Sequence, residues 1–251
     1  MPRDTAVLVC HGFTAQPKTV DHIAGYLERA GFAYEIPVLR GHGTKFQDLN
    51  GVRAKDWIED AMAAYERLEK AHGKVIVVGH SMGGLVAGNV VAQYPQTPAL
   101  VMIAAAFEFA NPAVKILPIL GKFVKYWSGG PSAVIDPKLR EESEAKQITY
   151  KRFPVKAFEE LFRLGKPTLQ ELEKIRCPAL VIHSRKDQVI LPSSAELAVK
   201  HLGSKDKRLK WFEQSGHEMF WDMERDALCE TIIKFLLEHS QEITVPTTAR
   251  G

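Results

Sequence analysis

Lys74-Val75-Ile76-Val77-Val78-Gly79-His80-Ser81-Met82-Gly83-Gly84 passes from an apolar run, through a turn of small residues, into the helix-like stretch 82–93. Consecutive Val and Ile bounded by turn residues read as a strand buried on both faces. Between that strand and that helix stands G-x-S-x-G, from Gly79 to Gly83. In this context the serine occupies a sharp, strained turn that lifts its hydroxyl above the sheet. Side chains two positions either side would collide across the turn, so glycine stands at 79 and 83. Ser81 also falls at a helix N-terminus, where the backbone dipole favours developing negative charge. The five-residue pattern alone is a weak signal. The strand before it and the helix after it make Ser81 a candidate nucleophile.

Outward from this turn the same alternation repeats. Short apolar runs at 6–10, 33–37, 74–79, 99–105, 179–184 and 208–212 read as parallel strands. Stretches 19–30, 56–72, 82–93, 193–202 and 225–239 carry apolar residues at helical spacing. Strand alternating with helix predicts an α/β fold, an open parallel sheet covered on both faces.

One interruption stands out. After Ala105 the chain runs for roughly seventy residues before the next strand, far beyond an ordinary connection. Pro112, Pro118, Pro131, Pro137, Pro154 and Pro167 punctuate it. The reading is a small, largely helical cap at 107–166, inserted into a core made of 1–106 and 167–251. Within the cap, 107–127 is rich in Phe, Ile, Leu, Val and Trp. It suits packing on the body, lining of an apolar pocket, or contact with a lipid interface. The tail 242–251 lacks periodicity and reads as frayed.

A serine hydroxyl needs a base, and the base needs a group to hold its tautomer. Asp187 follows the run 179–184, and His217 follows the run 208–212. Both therefore sit at the carboxyl ends of strands, where ligands bind in open α/β sheets. Among the other histidines, His183 lies inside a strand and reads as a core residue. His80 adjoins Ser81 but points elsewhere on a tight turn, and His22, His72, His201 and His239 lie within or near the ends of helices. Asp206 and Asp222 are the rival acids, yet neither directly follows a strand in the right order. The first strand ends in His11-Gly12-Phe13-Thr14. Its Phe13 amide, with that of Met82, is the candidate oxyanion hole. Arg40-Gly41-His42-Gly43 reads first as a glycine-rich turn, with chemistry from His42 the minor reading.

Composition narrows the classes. A net charge of +3 with charged residues at 25% gives no basic footprint for nucleic acid. Cys10, Cys177 and Cys229 are odd in number and widely spaced, so neither a disulfide framework nor a zinc site is expected, and the thiols read as buried. No secretory signal and no long apolar span is evident, which points to a cytoplasmic protein. A monomer or homodimer is expected, with nothing in the sequence to choose between them.

Together, His11-Gly12-Phe13-Thr14, Gly41-His42-Gly43, Asp56-Trp57, Gly79-His80-Ser81-Met82-Gly83-Gly84, Asp187 and Glu213-Gln214-Ser215-Gly216-His217 resemble the α/β-hydrolase superfamily. Within it the likeness is to microbial carboxylesterases and monoacylglycerol lipases. The resemblance implies hydrolysis of a small-molecule ester through an acyl-enzyme, with no metal or cofactor. It favours short to medium acyl chains or monoacylglycerols. It assigns Ser81, Asp187 and His217 as a catalytic triad and Phe13 and Met82 as oxyanion donors. The same triad serves thioesterases, carbon–carbon bond hydrolases and acyltransferases. A non-catalytic ligand-binding protein on this fold is the reading from another class. Two departures matter. Only Met1 to Thr5 precede the first strand, so six or seven strands are expected rather than eight. Glu218 follows the base where an apolar neighbour is expected, and its charge would raise the base pKa if it faced the site.

Overall fold

Residues 4–117, 121, 123–128 and 133–240 are described by a computed structural model of the chain. Strands β1 (Thr5–Cys10), β2 (Ala33–Glu35), β3 (Lys74–His80) and β4 (Leu100–Ile103) precede the long insertion. Within the insertion lie β5 (Tyr126–Ser128) and β6 (Arg152–Pro154). After it come β7 (Ala179–Ser184) and β8 (Lys207–Phe212). Six strands form one parallel sheet in the order β2-β1-β3-β4-β7-β8. The order reverses between β1 and β3, and the crevice at such a switch point is where α/β sheets place their ligands.

The strands read as continuous apolar runs because both faces are covered. Val7, Val9, Ile76, Val78, Val101 and Ile103 pack into one layer. Their alternating neighbours Leu8, Cys10, Val75, Val77, Leu100 and Met102 pack into the other. The side-chain period of two divides every strand between the two cores. Helices α1 (Ala24–Arg29) and α7 (Arg225–His239) close the first layer through Leu27, Leu228, Ile232 and Phe235. Helices α2 (Ala54–His72), α3 (Met82–Gln93), α5 (Val155–Leu172) and α6 (Ser193–His201) close the second. Helix α4 (Pro137–Ala145) belongs to the insertion. Its N-terminus is capped by Asp136, whose carboxylate accepts from the amides of Lys138 and Leu139.

Several expectations are refined. The single helix expected at 19–30 is instead two 3-10 turns, Pro17–Thr19 and Asp21–Ile23, followed by the short α1. Val20 between the turns takes φ −116° and ψ 1°, outside helical geometry, and no side chain caps the segment. The insertion is not wholly helical, because β5 and β6 pair as an antiparallel ribbon with Trp127 opposite Phe153. Helix α5 runs through Pro167 to Leu172, across the point where the sequence suggests the cap ends. Cys177 is half-buried, while Cys10 and Cys229 are buried. Residues Pro118, Ile119, Leu120 and Pro131 of the cap and the tail 242–251 lie outside the described residues. Among the described residues, no helix is long and apolar enough to cross a membrane.

Candidate active site

The turn after β3 is built by steric exclusion. Ser81 holds φ 57° and ψ −119°, a strained conformation for a residue with a side chain. A Cβ on Gly79 would lie 2.1 Å from the Gly83 carbonyl oxygen. A Cβ on Gly83 would lie 2.1 Å from the Cys10 carbonyl oxygen. Both glycines are therefore required by backbone packing. The turn is held on β4 by the Ser81 amide, which donates to the Ile103 carbonyl at 2.8 Å.

Three residues from three strand ends meet here. The Ser81 hydroxyl donates to His217 Nε2 at 2.9 Å. His217 Nδ1 donates to Asp187 Oδ2 at 2.8 Å. All three side chains are buried. Asp187 accepts three hydrogen bonds. Its Oδ1 takes the amides of Val189 and Ile190, at 2.8 and 2.9 Å. Its Oδ2 takes His217, and His183 Nε2, which donates to the Ile190 carbonyl, stands 3.2 Å from the same oxygen. Burial opposes ionisation of Asp187, but the two imidazoles and these hydrogen bonds hold its carboxyl well below the usual range. Burial likewise opposes a charge on His217. Asp187, and to a lesser degree Glu218, outweigh it and hold the imidazole above its ordinary value.

The base sits on a loop tied by two further carboxylates. Glu224 accepts from the amides of Gln214 and Ser215, at 2.8 and 2.9 Å. Asp222 is fully buried and accepts from the Gly216 amide at 2.7 Å and the Ile135 amide at 2.6 Å. It thus joins the base loop to the cap, and this rival acid accepts from backbone amides while Asp187 takes His217. The Ser184 hydroxyl donates to the Ser215 carbonyl, which fastens the same loop to β7. His80 Nε2 donates to the His217 carbonyl at 2.9 Å. Nothing in the sequence marks Glu224, and the reading there makes Asp222 a rival acid, His183 a core residue and His80 a neighbour of Ser81 that points elsewhere. That these three support the base and its acid is visible only where distant segments meet.

The loop after β1 crosses in front of Ser81. A Cβ on Gly12 would stand 3.2 Å from that of Ser81, so the backbone passes close to the hydroxyl. Two buried imidazoles brace this loop. His42 Nε2 accepts from the Thr14 amide at 3.2 Å, and its Nδ1 donates to the Leu39 carbonyl at 3.1 Å. His11 Nε2 accepts from the Leu39 amide at 3.3 Å. Burial pushes His42 down to about 4 and His11 down to about 3, which keeps both neutral and able to accept. Trp57 adds a bond from Nε1 to the Arg40 carbonyl. The glycine-rich turn at 40–43 and the pair Asp56-Trp57 thus shape the loop that carries Phe13. Phe13 comes to Ser81 from β1, while Met82 follows it at the first turn of α3.

Ser81 and His217 open into a cavity of about 240 Å³. Its apolar wall includes Phe109, Leu117, Trp127, Phe153, Phe158 and Leu161. The stretch 107–127 supplies only part of that wall. Ile116 and Phe123 face outward, and the ribbon β5–β6 and helix α5 supply the rest.

A parallel sheet carrying serine, acid and histidine at the ends of β3, β7 and β8, in that chain order, defines a serine hydrolase of the α/β-hydrolase fold. The chain belongs to the Hydrolase_4 family, described as serine aminopeptidase, S33, which matches residues 2–225. It is 27% identical over 235 residues to a thermostable monoacylglycerol lipase of Bacillus sp. (strain H-257), covering 93% of this chain and 91% of the relative. It is 26% identical over 234 residues to a carboxylesterase of Bacillus subtilis (strain 168), covering 93% and 92%. A solved structure reported for LipS and LipT, two metagenome-derived lipolytic enzymes, superposes with a TM-score of 0.87 at 30% identity, over 95% of this chain and 96% of that one.

Proposed function

We propose that the protein hydrolyses carboxylic esters of short to medium acyl chains, monoacylglycerols among them, with Ser81 as nucleophile. The observation that carries this reading is the chain Ser81–His217–Asp187, at 2.9 and 2.8 Å, opening directly into an apolar cavity. Ser81 Oγ bonds to the ester carbonyl carbon and gives its proton to His217 Nε2. The carbonyl electrons move onto oxygen, which takes hydrogen bonds from the amides of Phe13 and Met82. The tetrahedral intermediate collapses, and the leaving alcohol takes the proton from His217. Water then repeats the sequence on the acyl-enzyme and releases the acid. Asp187 holds the tautomer with Nε2 bare and stabilises the imidazolium as it forms.

In this reading 107–166 acts as the cap, with a core of 1–106 and 167–251. The apolar wall supports an acyl chain over a charged or peptide-like group. Ile116 and Phe123, exposed at 51% and 84%, support contact between cap and lipid surface. Two measurements test the function. A fluorophosphonate should label Ser81 in folded protein and leave Ser81→Ala unlabelled. A panel of p-nitrophenyl esters, acyl-CoA thioesters and aminoacyl anilides should show turnover chiefly of esters. Labelling with turnover of thioesters or anilides alone would move the reading to those substrates.

A further inference from the structure

Glu218 is the one acidic side chain common to the cavity that Ser81 lines and a second cavity adjoining it, among the described residues. The first is the apolar cavity above. The second carries Arg140, Ser143, Glu144, Gln147 and Lys151 on its wall and is more polar than the first. The two meet at Thr14, Ala133, Thr149, Phe153 and Glu218. An ester whose acyl chain fills the apolar cavity must send its alcohol elsewhere. The adjoining polar space is chemically suited to receive it.

The surroundings of Glu218 are unusual for a carboxyl. Its side chain is only 8% exposed. Its Oε2 is buried and accepts no hydrogen bond. His80 Nδ1 stands 3.9 Å away, beyond hydrogen-bond length, and is itself unpartnered. Because His80 Nε2 donates to the His217 carbonyl, a neutral His80 has no proton at Nδ1 to offer. Burial pushes the Glu218 carboxyl up to about 7. The residue is nonetheless fixed in place, since its amide donates to the Ala133 carbonyl at 2.8 Å and joins the base loop to the cap. Among the described residues no donor reaches either oxygen of this carboxyl, and while Oε2 is turned toward His80, the side chain lines both cavities. A nearly buried carboxyl without a donor is costly, so its place on the cavity wall asks for a ligand that supplies one.

We infer that Glu218 is a specificity-determining residue on the alcohol side of the ester bond, accepting a hydrogen bond from a second hydroxyl of the substrate's alcohol. This rests on the ester-hydrolase reading above. A glycol or glycerol ester carries that hydroxyl beside the ester oxygen. A simple alkyl ester does not, and binding it leaves the carboxyl desolvated and unpaired. A site built to bond a hydroxyl rejects the analogue lacking it far more strongly than an apolar pocket rejects a missing methylene.

Two esters of one acid test this: 2-hydroxyethyl octanoate and propyl octanoate, nearly equal in shape and differing by one terminal hydroxyl. The wild type should favour the hydroxyethyl ester in kcat/KM by roughly tenfold to a hundredfold. Glu218→Val should bring the two within about twofold, and Glu218→Gln, which keeps an acceptor but no charge, should fall between. Fluorophosphonate labelling of Ser81 in each protein reports a folded, competent site. If the valine variant does not label, the glutamine variant decides. A preference absent in the wild type overturns the inference and leaves ester hydrolysis standing. So does a ratio unchanged in a labelling variant, or both esters declining together, which would mean that Glu218 acts only through His217. Wild-type protein that neither labels nor turns over either ester sinks the ester reading itself, and the inference with it.

Discussion

The loops after β7 and β8 each bring a carboxyl to His217, and burial treats the two in opposite ways. Asp187 is met by two backbone amides and two imidazoles, so it stays ionised in a site that excludes water. Glu218 lies as deeply but has no donor at Oε2, and its carboxyl rises toward neutrality. Depth alone therefore does not decide the charge of a buried acid. The count of donors pointed at it does. One carboxyl is spent on orienting the base. The other keeps its hydrogen-bonding capacity for whatever enters the cavity.

That contrast can be broken first at Asp187. Asp187→Asn keeps the shape, removes the charge and lets His217 settle with the wrong nitrogen protonated. Its kcat should drop by roughly a thousand- to ten-thousand-fold, with circular dichroism unchanged. A loss under about tenfold would mean that the orienting charge comes from elsewhere.

The loop itself can be loosened next. Asp222→Ala strips acceptors from the buried Gly216 amide and the half-buried Ile135 amide, which should cost about 2–4 kcal/mol in urea unfolding. An unfolding midpoint equal to wild type would show that the base loop does not need this tie.

The smallest expected effect sharpens the contrast by pH. His217 must be neutral to act, and its pKa is raised above the ordinary 6.5. The base form is therefore populated above that raised value, and kcat/KM should fall as pH drops through it. Glu218 contributes to the raise when ionised. Glu218→Gln should shift the acidic limb toward lower pH, by about half a unit. An upward shift would contradict the placement of the carboxyl beside the imidazole.

Much of this site is legible in the sequence alone. Gly79 and Gly83 announce a backbone so crowded that a methyl group does not fit, and the same crowding appears as contacts of 2.1 Å. Asp187 and His217 could be picked from their rivals because each directly follows an apolar run. The rest was hidden for a common reason. The split of 19–30 turns on the conformation of one residue, Val20. The ribbon β5–β6 joins Trp127 to Phe153 across helix α4, so no short hairpin loop marks the pairing. The acyl wall draws on Phe153, Phe158 and Leu161, which any core helix or strand could carry.

The linear chain by itself settled the strand–turn–helix around Ser81, the α/β alternation and the order of serine, acid and histidine. Each of these depends on neighbours in sequence, through sterics and the periods of strand and helix. Tertiary structure alone decided that His183 joins His217 on one carboxylate, that Asp222 faces two amides, and that Glu218 faces none. Those outcomes depend on which groups the folded loops bring to hydrogen-bonding or contact distance, and no local rule specifies that distance.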